Sequence, residues 1–309
     1  MRETIGNTGQ TAQDYQPFRH YSLKQRMVSW ISRTLFDDLT YTVRHGLLKG
    51  MKRRGGLSWI PNIGGFFKET PEHRFFCSLH VQSKVVFDVG AFEGLITLFF
   101  ARNAQHVVCY EPNPRNFARL CKNLELNRIQ NVTVRNRGVG AKRGTAAMVW
   151  DPRTAGGATL ASTGMSATIS RGADARHYEI QVTTLDDDLA EAHLPNPDLI
   201  KIDVEGFELQ VLQGARCLLQ TRHPALYIEI HGENMNEKRA NAHAVVSYLN
   251  EIDYGELIHV ESGKKITPED CECASQGHVF ACKNARARDD AIKTPPSEIT
   301  LAQPKSVLW

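Results

Sequence analysis

The chain has 309 residues, 41% of them hydrophobic, with 37 basic and 34 acidic side chains and a formal charge of +3. That length accommodates one large domain with additions, and a charge so near balance excludes the electrostatic footprint of a nucleic-acid binder. No run of about 18 apolar residues exists, so no membrane-spanning helix is expected. The polar start, Met1 to Gln16, lacks the apolar centre of a signal peptide. Seven cysteines, an odd count, are scattered along the chain. Reduced thiols in a cytoplasmic protein are therefore expected.

Residues 1–80 are expected to form a helical extension, because apolar residues recur at helical spacing over 18–48 (Trp30, Ile31, Leu35, Leu39). The basic run Lys49-Gly50-Met51-Lys52-Arg53-Arg54 is broken by glycine and reads as a solvated linker. Its functional alternative is contact with a phosphorylated substrate or a membrane surface.

Residues 81–285 alternate strands and helices. Strands are predicted at 84–89, 106–111, 131–139, 146–150, 178–183, 198–203, 225–230, 256–260 and 278–282. Helices are predicted at 95–102, 114–126, 207–220 and 237–252. The central strands are continuous apolar runs, as in a parallel sheet covered on both faces, so a doubly wound α/β fold is predicted. Residues 153–176, rich in Gly, Ala, Ser and Thr, read as a substrate-side loop, with disorder as the alternative. Residues 286–309 lose apolar pattern and read as a disordered tail. Asn131-Val132-Thr133 matches a glycosylation sequon but opens an apolar strand, so it is taken as chance.

The chemistry concentrates at three strand ends. In Asp88-Val89-Gly90-Ala91-Phe92-Glu93-Gly94 the middle glycine of a dinucleotide fingerprint is missing and a carboxylate precedes the turn. Such a turn repels a pyrophosphate and suits a ligand carrying an ammonium group, such as S-adenosylmethionine. Glu111, in Glu111-Pro112-Asn113-Pro114, ends the next strand, where a carboxylate can take both ribose hydroxyls. Asn113 and Pro114 start a helix well. The third strand ends Lys201-Ile202-Asp203-Val204-Glu205-Gly206. Alternation there places Asp203 and Glu205 on one side, as candidates to accept a proton from a hydroxyl. His231 closes the following strand and is a further candidate base or a structural histidine.

Two clusters have blander readings. Asp186-Asp187-Asp188 reads as the first turn of a helix rather than a metal cluster. Cys271, Cys273, His278 and Cys282 lack knuckle spacing and read as ordinary core and strand residues, so no metal site is assigned.

These blocks resemble the FkbM-type S-adenosylmethionine-dependent methyltransferases: the turn Asp88 to Gly94, the stretch Glu111 to Asn127, and Asp198 to Ala215 followed by Pro224 to Glu229. The resemblance covers about 85–282 and implies a Rossmann-like class I methyltransferase fold. Such a fold has a mostly parallel seven-stranded sheet with an antiparallel last strand. By resemblance Asp88, Gly90 and Glu111 bind the cofactor, Asp203 and Glu205 face the reaction site, and the reaction is O-methylation of a sugar, glycolipid or polyketide-type hydroxyl. With the residue reading, the candidate cofactor contacts are Asp88, Gly90, Glu93, Glu111, Pro112, Asn113 and Asp203, and the candidate catalytic residues are Asp203, Glu205 and His231. Phe92 stands where the family turn has Asn. The alternatives are an NAD-dependent oxidoreductase on a similar sheet, a non-catalytic S-adenosylmethionine-binding protein, and a metal-assisted O-methyltransferase.

Overall fold

A computed structural model describes residues 38–55, 69–82, 84–150, 158–160 and 175–293. The amino-terminal part contributes a hairpin of β1 (Thr40–Thr42) and β2 (Lys52–Arg54), then helix α1 (Pro71–Ser78). The α/β alternation follows: β3 (Val85–Val89), α2 (Leu95–Asn103), β4 (His106–Tyr110), α3 (Pro114–Leu126) and β5 (Val132–Arg135). Next come β6 (Gly138–Val139), β7 (Gly144–Trp150), β8 (Ala158–Leu160), β9 (Arg176–Thr183) and α4 (Leu185–Glu191). The remainder is β10 (Leu199–Ile202), α5 (Glu208–Gln213), α6 (Arg216–Arg222), β11 (Ala225–Glu229), α7 (Met235–Glu251), β12 (Glu256–His259), β13 (His278–Cys282) and α8 (Ala285–Ala291).

The main sheet has seven strands in the order β12-β13-β11-β10-β3-β4-β5. Its inner pairs are parallel, and β13 alone runs against both neighbours. This is the predicted sheet, antiparallel last strand included. Successive residues of a strand face opposite layers. Phe87, Ile200 and Ile228 pack with Leu212 and Val246 on one face. Val86, Leu199 and Tyr227 pack with Phe75, Phe100 and Phe280 on the other. The strand order reverses between β3 and β10, so the crevice at the carboxyl ends of those strands is where such a sheet binds ligands.

Several expectations are corrected. The predicted strand 131–139 breaks at Asn136, whose amide turns back to donate to the Glu111 carbonyl at 2.8 Å. Beyond the break, β6 leaves the main sheet for a second one, of order β6-β9-β7-β8, in which β7 is antiparallel to β8 and β9. The predicted helix 207–220 is two helices. A Cβ at Gly214 would lie 2.0 Å from the Gly140 carbonyl oxygen, so the chain must pass there as bare backbone.

The helical expectation for 18–48 lies outside the described residues up to 37; from Thr40 the chain is the β1–β2 hairpin. Helix α1 belongs to the main core, with Phe75 and Phe76 fully buried. The expected tail is ordered to Lys293. Asn284 caps α8 and Ile292 bridges to Leu79. Residues 294–309, and 153–176 apart from β8 and the start of β9, lie outside the described residues. Asn131 of the sequon is half-buried and spends its amide on the Ala101 and Ala104 carbonyls at the end of α2. No described helix is long and apolar enough to cross a membrane.

Candidate active site

The crevice at the β3–β10 switch is lined by Gly90, Phe92, Glu111, Pro112, Arg137, Val139, Met148, Ile180, Asp203, Glu205 and Phe207, among others. Two sheets build it. The main sheet supplies the carboxylates at its strand ends. The second sheet supplies the apolar wall of Met148 and Ile180, residues for which a sequence reading offers only strand periodicity.

Gly90 has φ +82°, and a Cβ there would stand 1.8 Å from the Asp203 carbonyl oxygen. Glycine is thus required twice over, for its left-handed backbone and for the close approach of β3 to β10. Phe92 is also left-handed, with φ 52°, a conformation that Asn tolerates better than an aromatic residue. The Phe92 ring is 37% exposed at the cleft, and its backbone N–H donates to Glu111 Oε2 at 2.8 Å. Asn113 N–H donates to the other oxygen, Oε1, at 2.8 Å, while the Asn113 side chain caps α3. Burial raises the Glu111 carboxyl to about 7, against these two N–H donors. Each oxygen holds one backbone donor and Asn116 adds a side-chain hydrogen bond, so of about four acceptor sites on the carboxylate one is left for a further donor, such as a ribose hydroxyl.

Asp88 does not face the cleft. It is fully buried, accepts from Thr97 Oγ1 at 2.6 Å, and lies 3.3 Å from Lys201 Nζ. The ammonium it was expected to attract in a ligand is supplied by the protein. Lys201 also reaches Asp203 at 3.1 Å and donates to the Gly90 carbonyl at 3.0 Å, so one lysine ties both strand ends together. Its burial disfavours the charge, but Asp203 and Asp88 outweigh this and raise its pKa. Glu93 likewise turns away: its carboxylate pairs with Arg53 of β2 and Arg119 of α3, each at 3.2 Å. Within the basic run, Lys49 and Lys52 are exposed and Arg53 alone of the four cations is buried. Arg53 is 3% exposed, and Arg54 pairs with Asp38.

Asp203, Glu205 and His231 do converge. From His231 Nε2 the distances are 3.8 Å to Asp203, 3.7 Å to Glu205 and 3.5 Å to Glu229. One donor atom from each of Asp203, Glu205 and His231 falls within 4.8 Å of the others, the spacing of a metal-ligand group. The sequence names these residues one by one but not their contact, because Asp203 and His231 follow neighbouring parallel strands. His231 Nδ1 is held at 2.8 Å by Glu208 Oε1, and Glu208 is fully buried with its second oxygen on Asn241 at 2.7 Å. Burial opposes a charged imidazole, but Glu205, Glu208 and Glu229 together raise the His231 pKa well above its ordinary value. A neutral base at His231 is thereby disfavoured. Burial, with the nearby Asp203 and Glu229 charges, raises Glu205 to about 8. Glu205 and Gly206 are both left-handed, which swings the loop after β10 over the cleft.

The other clusters are structural. Thr184 caps α4 and the aspartates occupy its first turn as expected. Asp188 goes further, buried among Arg135, Arg137 at 3.1 Å and the Tyr110 hydroxyl at 3.1 Å. His278 pairs with Glu261 at 2.5 Å and Glu229 at 3.4 Å rather than with the cysteines, and Cys282 is buried in β13.

A doubly wound sheet with one reversed last strand, a turn lacking the middle glycine of the dinucleotide fingerprint and an acid at the end of its second strand defines a protein of the class I methyltransferase type. Residues 88–255 match the methyltransferase FkbM domain, and the chain belongs to that family. It is 32% identical over 152 residues to the hexuronic acid methyltransferase AglP of Haloferax volcanii, a match covering 48% of this chain and 57% of that protein. It is 29% identical over 143 residues to Methyltransferase 1 of Beauveria bassiana, covering 42% and 57%. The chain thus spans little more than half the length of these relatives. Among solved structures, the FkbM methyltransferase of Methylobacillus flagellatus KT matches with a TM-score of 0.42 and 19% identity. That match covers 68% of this chain and 50% of the other.

Proposed function

We propose that the protein is an S-adenosylmethionine-dependent methyltransferase acting on a hydroxyl of a sugar, glycolipid or polyketide-type natural product, in the cytoplasm. The observation that carries the reading is the placement of Glu111 and the Asp203–Glu205 edge on one cleft, with the Gly90 turn between them. S-adenosylmethionine supplies a methyl group made electrophilic by its sulfonium. Glu111 accepts a ribose hydroxyl, and Phe92, Pro112, Met148 and Ile180 offer apolar surface to the purine. Asp203 and Glu205 border the place where an acceptor hydroxyl must enter, and this acidic edge takes its proton as the carbon–oxygen bond forms. Holding the two reactants in line supplies most of the acceleration. The hexuronic acid methyltransferase among the relatives supports a sugar-type acceptor. Seven free thiols agree with a reducing compartment.

Calorimetry with S-adenosylmethionine and NAD tests the cofactor, and labelled cofactor offered with sugar, lipid and polyketide hydroxyls tests the acceptor. Binding of NAD without S-adenosylmethionine overturns the reading. Undiminished turnover after replacing Asp203 and Glu205 removes their catalytic roles.

A further inference from the structure

We propose that Asp203, Glu205 and His231, with Glu229 beside them, form a binding site for one divalent cation of the Mg2+ or Mn2+ class at the acceptor end of the cleft. Three observations carry it. The first is spacing. The carboxylate oxygens stand 3.5–3.8 Å from His231 Nε2, too long for good hydrogen bonds. Two ligands of one ion, each roughly 2.1 Å from it, stand about 3–4 Å apart.

The second is orientation. Histidines that bind metals donate their other ring N–H to a carboxylate, which fixes the tautomer and aims the free nitrogen. Glu208 occupies that place at 2.8 Å from Nδ1, and is itself fixed by Asn241 at 2.7 Å and by Gly206 N–H at 3.0 Å. Glu208 has no exposure and both its oxygens are engaged, so the imidazole it holds is fixed with Nε2 toward Asp203, Glu205 and Glu229.

The third is charge. Asp203, Glu205, Glu208 and Glu229 surround His231, with Lys201 on Asp203, His278 on Glu229, and Lys238 within electrostatic reach of Glu205, Glu208 and Glu229. A divalent ion would take the place of the Nε2 proton among these carboxylates, with that proton released to solvent while Nδ1–H stays on Glu208. Mostly carboxylate donors with one imidazole suit a hard or borderline cation better than a thiophilic one.

The site opens on the cleft through Asp203 and Glu205, both of which line it. An ion there would hold the acceptor oxygen and stabilise its anion as the proton passes to a carboxylate oxygen left unligated. That role rests on the methyl-transfer reading; the binding of the ion does not.

The test is titration of MnCl2 into chelator-treated protein, following the paramagnetic resonance of free Mn2+. One ion per chain should be taken up, and Mg2+ should compete for it. His231→Ala and Glu205→Gln should abolish the uptake. Glu208→Gln, which loosens the imidazole without removing a ligand, should weaken it roughly 10–100-fold. Glu205 is in a loop, so its variant tests the site even if Glu208→Gln fails to fold. No uptake at millimolar Mn2+, or uptake that Glu205→Gln and His231→Ala leave intact, overturns the proposal. S-adenosylmethionine calorimetry on the same chelator-treated protein reports separately on the methyl-transfer reading.

Discussion

Asp88 Oδ1 and Lys201 Nζ lie 3.3 Å apart, on residues directly opposite in the β3–β10 register. Asp88 has no exposure and the Lys201 side chain only 6%. The pair replaces a ligand contact with an internal one, and it holds together the two strand ends that form the cleft. Lys201→Met should strand the Asp88 charge and cost about 3–5 kcal/mol, read as a lowered midpoint in urea. Asp88→Asn in the same chain should recover part of that loss. A double variant no more stable than Lys201→Met alone would show that the two groups are not coupled.

Glu111 links pH to both stability and binding. Its carboxyl rises from 4.5 to about 7 on folding. The folded state therefore holds a proton that the unfolded state releases, and this contribution to stability is complete below about 4.5 and lost as pH rises through 7. Glu111→Gln should remove that part of the pH dependence. Cofactor affinity runs the other way, because the ionised carboxylate is the better acceptor for a ribose hydroxyl. Calorimetric affinity for S-adenosylmethionine should fall as pH drops below 7, and in Glu111→Gln it should be weak and flat.

Phe92 carries a left-handed backbone without being glycine or asparagine. Phe92→Asn should relieve roughly 1 kcal/mol of strain, seen as a higher melting temperature of the free protein. The same change removes an aromatic surface from the cleft, so S-adenosylmethionine should bind more weakly. A lowered melting temperature would mean that the ring's packing outweighs the strain.

Glu93 ties the β1–β2 hairpin and α3 to the turn through Arg53 and Arg119. Glu93→Gln should make residues 38–55 more susceptible to limited proteolysis while leaving the dissociation constant for S-adenosylmethionine unchanged. A large loss of affinity with no change in proteolysis would restore the direct cofactor contact expected of it.

How far the sequence reads depends on the range of the interaction. The main-sheet strands and their helices are legible because burial on both faces writes a continuous apolar run, and Asn113 announces a helix start locally. Glu111, Asp203 and Glu205 are legible as sites because a charge closing an apolar strand has few bland explanations. Lys201 carried the same signal, a cation inside Leu199–Ile202, and its partners were not.

The sequence alone determines the strands and helices of the doubly wound core and the acidic strand ends, since each is set by residues within one element, and the reversed last strand is implied only by the family resemblance. Only the tertiary structure decides what those acids face. Asp88 meets Lys201 instead of a ligand, Glu93 meets two arginines, and Glu208 comes to hold His231. The second sheet closes the cleft with Met148 and Ile180. Those outcomes depend on which strands lie side by side and on which face each side chain emerges. Charges and apolar surfaces act on whatever the fold brings within a few ångströms, whatever their separation along the chain.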